Sequence, residues 1–165
     1  VHLHKIIPYG AGLGGGSADA AFMLVGLNRL FSLGLNEEQL MGYAARLGSD
    51  CPFFVRNHPV FAFGKGELME AIDLSLKDYV MVLVKPDRGV STPEAYRGIT
   101  GVVVNDFETS VIPKVPEIQE IKDTLNALGA VYVSMTGSGS AVYGLFDRSV
   151  EVGETFPGYF VWKSK

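Results

Sequence analysis

The order of strand-like and helix-like segments predicts a mixed α and β protein built from two domains. A glycine-rich stretch, residues 8–21, joins an extended run to a run with the apolar spacing of a helix. A composition shift at residues 72–78 separates this half from a second half, in which strands and helices alternate. The second half contains another glycine-rich turn, residues 136–140, between two strand-like runs. We therefore place the two domains at residues 1–73 and 74–165.

Composition restricts the class of partner. The chain has 165 residues, 47% of them apolar, and its net charge of -4 argues against broad binding to nucleic acid. No apolar run approaches the roughly 18 residues of a membrane span. The single cysteine, Cys51, permits no internal disulfide and is typical of a reducing compartment. We expect a cytoplasmic protein whose partner is a small soluble molecule, and the sequence leaves its oligomeric state open.

Residues 1–7 alternate apolar and polar side chains, which predicts a half-buried strand that Pro8 ends. His2 and His4 share one face of that strand, and without a third ligand nearby they indicate a solvated face rather than a metal site. Position 1 is Val, and the chain opens inside the predicted strand. We therefore expect that a further segment precedes this sequence in the native protein.

The stretch from Gly10 to Gly16 holds five glycines in seven residues. Glycine lets the backbone adopt positive φ, bares successive N–H groups and permits close approach of a ligand. The helix predicted to follow has Ser17 as its N-cap and Asp19 in its first turn, and its dipole points the positive end at the same place. This combination predicts a cradle for phosphate groups. A flexible turn is the alternative, but a turn needs only one or two glycines.

Within the same stretch, Gly10, Gly12 and Gly15 match the spacing of a dinucleotide-binding fingerprint. That fold requires a second parallel strand ending in an acidic residue about twenty residues later. The chain continues instead with an amphipathic helix that Gly34 ends. The predicted buried face of this helix is Ala20, Leu24, Leu27 and Phe31. The sequence therefore favours a phosphate cradle over a dinucleotide site.

A second helix is predicted from residue 36. Asn36 and Gln39 have the spacing of a capping box. The buried stripe of this helix is Leu40, Ala44 and Leu47, and Gly48 follows it. Asp50 comes directly after, beside an apolar run, and by itself it is interpreted more readily as the N-cap of a short turn than as a catalytic group. Its neighbour Cys51 is interpreted as a small buried hydrophobe.

The remaining segments are assigned by periodicity and turn signals. A hairpin is predicted at residues 59–72 with a glycine turn at Gly64–Glu67. Further strands are predicted at residues 79–84, 131–135, 141–146 and 159–162. Short helices are predicted to begin within residues 91–96 and 105–108. A clearer helix is predicted at 116–128, with Ile118, Ile121, Leu125 and Leu128 on one face and Gly129 as a stop, and an amphipathic stretch at 148–156 completes the alternation. By itself, the turn at residues 136–140 is also compatible with a simple flexible hairpin.

Taken together, three elements in this order resemble the superfamily of galactokinase, homoserine kinase, mevalonate kinase and phosphomevalonate kinase: Pro8–Ala21, Leu47–Asp50 and Met135–Ser140. Within the superfamily, the chain looks most like the kinases of 4-diphosphocytidyl-2-C-methyl-D-erythritol, of the non-mevalonate isoprenoid pathway. That likeness rests on the first glycine stretch, the turn at Gly137 and three further motifs, residues 64–67, 90–93 and 105–108. It covers essentially the whole chain, and several motifs in fixed order are more specific than any one of them.

The resemblance implies an α+β fold of two domains, an N-terminal nucleotide-binding domain that is incomplete here and a ferredoxin-like C-terminal domain. It implies an ATP-dependent kinase that uses Mg²⁺ and phosphorylates the 2-hydroxyl of its cytidine diphosphate-linked methylerythritol substrate. The family's lysine-bearing first strand and its cytidine-holding residues are absent from this sequence, which leaves catalysis by this chain alone open. The alternatives are another superfamily kinase of a small alcohol, or a non-catalytic nucleotide-binding fragment.

Carried onto this sequence, the resemblance implies individual site residues. Asp50 would be the catalytic base, and Tyr96 would stack against the cytosine ring. Ser17 would lie at the Mg²⁺ ion, since Ala18 stands where the family usually has a second serine. The implied ATP-binding residues are Pro8, Tyr9, Gly10, Ala11, Gly12, Leu13, Gly14, Gly15, Gly16, Ser17 and Ala18 of the first loop, and Gly137, Ser138 and Gly139 of the second.

Overall fold

The structure is a computed structural model, and it describes residues 2–64, 66, 68–91, 95 and 105–165. The chain divides into two compact units: one is Gly14–Ser75, and the other joins Val1–Leu13 to Leu76–Lys165. The first glycine stretch therefore begins in one unit and ends in the other. The domain limits expected from the sequence, 1–73 and 74–165, stay a prediction.

The unit Gly14–Ser75 contains helices and a hairpin. The helices are α1 (Gly15–Leu30), α2 (Glu37–Ala45) and α3 (Cys51–Arg56), and α1 packs against both of the others. The hairpin consists of β1 (Val60–Phe63) and β2 (Leu68–Ala71), which are antiparallel with Val60 opposite Ala71. The hairpin predicted at residues 59–72 is confirmed.

The start of α2 forms as predicted, because its capping interactions are local. The Asn36 side chain accepts a hydrogen bond from the Gln39 N–H at 2.9 Å, and the Gln39 side chain accepts one from the Asn36 N–H at 3.0 Å. Leu40 and Ala44 are buried as expected. Leu47 is exposed, contrary to the prediction, because the helix ends at Ala45.

Several expectations for α1 are wrong because the helix begins and ends earlier than predicted. The helix is entered through Gly14, whose left-handed backbone (φ 63°) serves as the N-cap, so Ser17 is the third helical residue and not the cap. A start three residues earlier also places Asp19 beyond the first turn. The helix ends at Leu30, before Gly34, and the predicted core residue Phe31 is its exposed C-cap. Ala21 is the buried residue of this helix.

The second unit is built on a four-stranded antiparallel sheet. Its strands are β3 (Val80–Lys85), β4 (Tyr132–Met135), β5 (Val142–Phe146) and β6 (Phe160–Lys163). Their order in the sheet is β4-β5-β3-β6, with Val82 opposite Gly144 and Met135 opposite Val142. This is the strand arrangement of a ferredoxin-like domain, as expected, and it leaves β4 at an edge.

One face of this sheet carries the core. Within residues 105–165, two helices lie between β3 and β4, the short α4 (Glu108–Val111) and α5 (Glu117–Ala127), and α5 packs on β4 and β5. The predicted stripe of α5 is confirmed by its buried residues, Ile118, Ile121 and Leu125, which meet the buried Val82, Val84, Val142 and Phe146 of the sheet. Gly129 follows α5 with φ 92°, as a helix stop should.

Two further expectations fail, because a pattern of apolar and polar residues does not by itself specify the neighbour against which a segment would pair or pack. Residues 2–7 form no strand: they are exposed and pair with no strand of the described residues. Residues 148–156 contain no helix, and their apolar pattern reflects Val150 and Phe156, which anchor an irregular connection to the core. The helix predicted at 91–96 falls almost entirely outside the described residues. Among the helices described, none is both long and apolar enough to cross a lipid bilayer.

Candidate active site

The first glycine loop alternates left-handed glycines with other residues. The φ angle is 67° at Gly10, 73° at Gly12 and 63° at Gly14, and it is not positive at the residues between them. An anion-binding nest forms where left-handed residues alternate with right-handed ones, so that successive backbone N–H groups face one side, and the left-handed glycines of this loop have the spacing of such a nest. Ala11 is buried within the loop. The loop is therefore packed in place rather than free.

The start of α1 presents N–H groups that the helix itself cannot satisfy. The first intrahelical bond there runs from the Ala18 N–H to the Gly14 carbonyl, at 2.9 Å. The N–H groups of Gly15, Gly16 and Ser17 come before it, and Gly14 has no side chain to cap them. Within the described residues none of the three donates a hydrogen bond. Three available donors at the positive end of a 16-residue helix are suited to an anion.

The second glycine loop, residues 136–140, and Ala141 after it pack on the first loop. The Thr136 hydroxyl donates to the carbonyl oxygens of Ala11 at 3.0 Å and Gly12 at 3.1 Å. The Ala141 N–H donates to the Ala11 carbonyl at 3.2 Å. The second loop closes on itself through the Gly139 N–H and the Thr136 carbonyl, at 2.8 Å. Residues about 125 positions apart in sequence thus form one backbone structure.

Glycine is required where the two loops meet. A Cβ atom at Gly12 would lie 2.2 Å from the Thr136 carbonyl oxygen and 2.8 Å from the Gly139 nitrogen. A Cβ atom at Gly137 would lie 2.8 Å from the Gly12 carbonyl oxygen. All three distances are to backbone atoms, which cannot rotate away as a side chain can. The sequence assigned these glycines to phosphate binding, and their mutual contact adds a reason that sequence reasoning missed.

Asp50 lies at the N-terminus of α3, as expected, but its side chain does not cap that helix. Its exposed carboxylate accepts a long hydrogen bond from the Ser49 hydroxyl, at 3.4 Å. Cys51, next to it, is buried as predicted. Asp50 therefore occupies the N-cap position without the side-chain hydrogen bond that a capping role requires. Its carboxylate is not engaged by the helix and could accept a proton.

Asp50 and the helix that it begins lie close to two glycines of the same unit. The Phe54 ring, one turn further along α3, packs so closely on Gly14 that a Cβ atom there would lie 3.0 Å from it. The helix that carries Asp50 is thus fixed against the start of α1. A Cβ atom at Gly66, in the hairpin turn, would lie 3.9 Å from the Asp50 Oδ1 atom. The Asp50 carboxylate therefore lies beside the glycine turn of the hairpin.

Comparison with known proteins places this arrangement in a family. Residues 1–59 match the GHMP kinases N terminal domain, and residues 95–155 match the GHMP kinases C terminal domain. A relative from Parabacteroides distasonis, named 4-diphosphocytidyl-2-C-methyl-D-erythritol kinase, is 48% identical over 100% of this chain and 69% of its own length. The chain belongs to this family of GHMP kinases.

Other relatives agree with this placement. A Bacteroides thetaiotaomicron protein of the same name is 50% identical over 94% of this chain and 64% of its own length. A crystal structure of 4-(cytidine 5'-diphospho)-2C-methyl-D-erythritol kinase matches 86% of this chain and 59% of its own with a TM-score of 0.73 and 34% identity. A homoserine kinase from Cytophaga hutchinsonii, at 15% identity and a TM-score of 0.68, shares the fold. The chain spans about two thirds of the length of its curated relatives.

The site residues expected of a GHMP kinase fall into three groups here. Those of the first loop lie at the nest and at the start of α1, and Gly137, Ser138 and Gly139 lie in the loop that packs on Ala11 and Gly12. Asp50 is at the N-terminus of α3. Tyr96 lies outside the described residues. The structure adds two residues whose motif alone indicated no role: Asn105, whose amide donates to the Met135 and Gly137 carbonyls, and Glu108, whose carboxylate accepts from the Met135 N–H.

The residues present fit a magnesium ion held mainly by nucleotide. Among the described residues, no group of three or more His, Cys, Asp and Glu side chains is arranged to hold a metal. Mg²⁺ does not need such a group, because in phosphoryl-transfer sites it keeps several waters and is bound by the nucleotide phosphates with only one or two protein ligands, a carboxylate or a Ser or Thr hydroxyl. Ser17, in the first turn of α1, offers a hydroxyl oxygen beside the available N–H groups.

Proposed function

We propose that the protein transfers the γ-phosphoryl group of ATP to the 2-hydroxyl of 4-diphosphocytidyl-2-C-methyl-D-erythritol, a step in non-mevalonate isoprenoid biosynthesis. The observation that carries this proposal is the set of available N–H groups of Gly15, Gly16 and Ser17 at the end of the glycine loop. In a GHMP kinase such donors suit the phosphates of ATP. The acceptor is taken from the names of the relatives.

The residues Pro8–Ala18 would surround the ATP phosphates, and Gly137–Gly139 would contribute backbone donors from the second loop. Phosphoryl transfer is catalysed mainly by positioning and by neutralising the negative charge spread over the phosphoryl oxygens. The nest of left-handed glycines and the dipole of α1 supply fixed partial positive charge for this purpose. Mg²⁺, held at Ser17, would supply further charge neutralisation when bound.

Asp50 would act as the general base. Its carboxylate would accept the proton of the acceptor hydroxyl as the new P–O bond forms. Its exposure and its freedom from helix capping support this role. Tyr96 would stack on the cytosine ring, which contributes specificity for the acceptor rather than for ATP. The single cysteine and the net charge of -4 support a cytoplasmic enzyme with a small-molecule substrate.

The test is phosphoryl transfer by the complete protein. Incubation with ATP and the cytidine diphosphate-linked methylerythritol should give ADP and a new phosphate monoester, which ³¹P NMR would locate on the C2 oxygen. Homoserine and mevalonate serve as competing acceptors. Transfer to one of these instead would indicate another GHMP-type kinase of a small alcohol. ATP binding without transfer to any acceptor would indicate a non-catalytic nucleotide-binding protein, and absence of ATP binding would refute the phosphate site itself.

A further inference from the structure

The motif Asn105–Glu108 has no role in the reaction proposed above, yet it makes a specific set of contacts. We propose that Asn105 and Glu108 are positioning residues that hold the second glycine loop in its nucleotide-binding conformation. The inference rests on the proposed kinase function. It concerns how the site is held, and neither residue is assigned a contact with substrate.

Asn105 fixes the loop through two carbonyl groups. Its side-chain amide donates to the Met135 carbonyl at 2.7 Å and to the Gly137 carbonyl at 3.0 Å. Met135 is the last residue of β4, and Gly137 is a glycine of the loop with φ 46°. The amide oxygen of Asn105 accepts from the Phe107 N–H at 3.1 Å, which orients the amide so that its NH₂ group faces the loop. One side chain thus bridges the strand and the turn that follows it.

Glu108 binds the same strand end by accepting a hydrogen bond from the backbone N–H of Met135. The Glu108 Oε1 atom accepts from the Met135 N–H at 2.9 Å. Its other carboxylate oxygen forms an ion pair with the Lys122 ammonium group of α5, and both side chains are mostly buried. This pairing compensates the buried negative charge and fixes the carboxylate in place. The strand end is therefore connected to α5 as well as to α4.

The position of Met135 explains why side chains are needed there. β4 is one of the two edge strands of the sheet, and its hydrogen-bonded pairing with β5 continues through the Thr136 N–H and the Ala141 carbonyl at 2.8 Å. In an antiparallel pair alternate residues direct their N–H and C=O groups to opposite sides, so those of Met135 face away from β5. Asn105 and Glu108 take the place of a neighbouring strand at this one residue.

The consequence reaches the first loop through Thr136. This residue follows Met135 directly, and its hydroxyl donates to the carbonyl groups of Ala11 and Gly12. A shift of the Met135 backbone would move Thr136 and Gly137 together. Because the Gly12 and Gly137 backbones are in close contact, such a shift would disturb the left-handed glycines of the first loop. Loss of Asn105 or Glu108 should therefore weaken ATP binding more than acceptor binding.

The experiment compares variants of the complete protein in steady-state kinetics and in binding of a fluorescent ATP analogue. In Asn105→Ala we expect the KM for ATP to rise about tenfold, roughly the effect of losing one well-placed hydrogen bond, with the KM for the acceptor within about twofold. Glu108→Ala should do the same. Glu108→Gln keeps an oxygen that can accept from the Met135 N–H and should recover most of the affinity for ATP.

The matched control is Ser164→Ala. The Ser164 hydroxyl oxygen also accepts a hydrogen bond from a strand N–H, that of Met81 at 2.9 Å, but next to β6 and not at the glycine loops. Ser164→Ala should lower the melting temperature about as much as Asn105→Ala and Glu108→Ala do, and it should leave the KM for ATP and the KM for the acceptor unchanged. If Asn105→Ala folds and behaves like Ser164→Ala, the residues are only structural and the inference is wrong.

If the alanine variants fail to fold, the milder variants Glu108→Gln and Asn105→Ser take their place in the test. Serine offers one hydroxyl donor where the Asn105 amide offers two N–H donors. A loss of ATP affinity that is larger in Asn105→Ser than in Glu108→Gln, with the KM for the acceptor unchanged, supports the inference. Equal KM values for ATP in the two variants and the parent overturn it. A parent that neither binds ATP nor transfers phosphate refutes the proposed function and this inference together. A parent with full activity and variants with unchanged ATP affinity refute the inference alone.

Discussion

The hydroxyl of Thr136 donates a hydrogen bond to the carbonyl of Gly12 at 3.1 Å, across 124 positions of sequence. The same hydroxyl lies 3.0 Å from the Ala11 carbonyl. A carbonyl that accepts from a side chain is fixed in direction, so this contact helps to fix the peptide planes on either side of Gly12. The geometry of the predicted phosphate loop therefore depends on a residue from the far end of the chain.

Replacement of Gly12 by Ala should disrupt both glycine loops. The new Cβ atom would lie 2.2 Å from the Thr136 carbonyl oxygen, and Gly12 has a left-handed backbone that alanine rarely adopts. We expect kcat/KM to fall by about 10²-fold or more, because a displacement of the order of 1 Å is enough for that loss. The measurement is steady-state kinetics with ATP as the varied substrate.

The control for this substitution is Gly26→Ala in α1. A Cβ atom at Gly26 meets no atom within 4 Å, and the residue lies inside a helix. Alanine should therefore stabilise the protein by about 0.5–1 kcal/mol, with unchanged kinetics. Retention of kcat/KM within threefold in Gly12→Ala would contradict the close contact between the loops.

Asp50→Asn should separate catalysis from folding. The Asp50 side chain forms no capping hydrogen bond, so its replacement by an amide of nearly the same shape should leave the melting temperature and the ATP affinity almost unchanged. Loss of a general base typically lowers the rate by about 10²- to 10⁴-fold. We expect kcat to fall within this range, measured together with ATP binding and a thermal melt.

Asn36→Ala should have the opposite effect to Asp50→Asn, since it should lower stability and leave catalysis unchanged. Asn36 is a true cap, with both hydrogen bonds of the capping box present. Its loss should cost about 1 kcal/mol of folding free energy while kcat stays at the parental value. A kcat of Asp50→Asn within threefold of the parent, in a folded protein, would remove Asp50 from the catalytic role.

Tyr96→Ala tests the acceptor site. If the ring stacks on cytosine, its loss should remove a contact of roughly 1–3 kcal/mol for the cytidine-containing substrate alone. We expect the KM for that substrate to rise about tenfold or more and the KM for ATP to stay within twofold. An equal rise in both KM values would indicate that Tyr96 supports the fold instead of the pocket.

Ionisation of the Tyr143 phenol should lower the free energy of unfolding at alkaline pH. Burial, together with the neighbouring Tyr132 ring at 5.9 Å, raises the pKa of the Tyr143 phenol above its ordinary value of 10.0. The folded protein thus keeps this proton to a higher pH than the unfolded chain. The stability associated with the neutral phenol is fully present below about pH 10 and is lost as the pH rises through the raised pKa.

The measurement is the free energy of unfolding from urea titrations between about pH 8 and 11. Tyr143→Phe should flatten its decline above about pH 10, because the titrating group is gone. A parental slope in Tyr143→Phe would show that other groups govern the alkaline transition.

Interactions between close neighbours in sequence determined the features that were predicted correctly. The Asn36–Gln39 capping box spans three residues, and the stripe of α5 repeats within a single helix, so residue order alone is sufficient for both. The same holds for the hairpin of β1 and β2, whose strands are joined by a short turn. The family, too, is recognisable from short motifs in fixed order.

Tertiary structure decided what depends on distant partners. Alternation at residues 2–7 could not create a strand, because pairing requires a neighbour that the alternation does not specify. Ser17 was not the cap of α1, because Gly14, against the Phe54 ring of α3, turns the chain into the helix earlier. The contacts of Thr136 with Ala11 and Gly12, and of Asn105 and Glu108 with Met135, join segments between 27 and 125 positions apart. No local pattern encodes such contacts, since they exist only once the sheet order has brought the segments together.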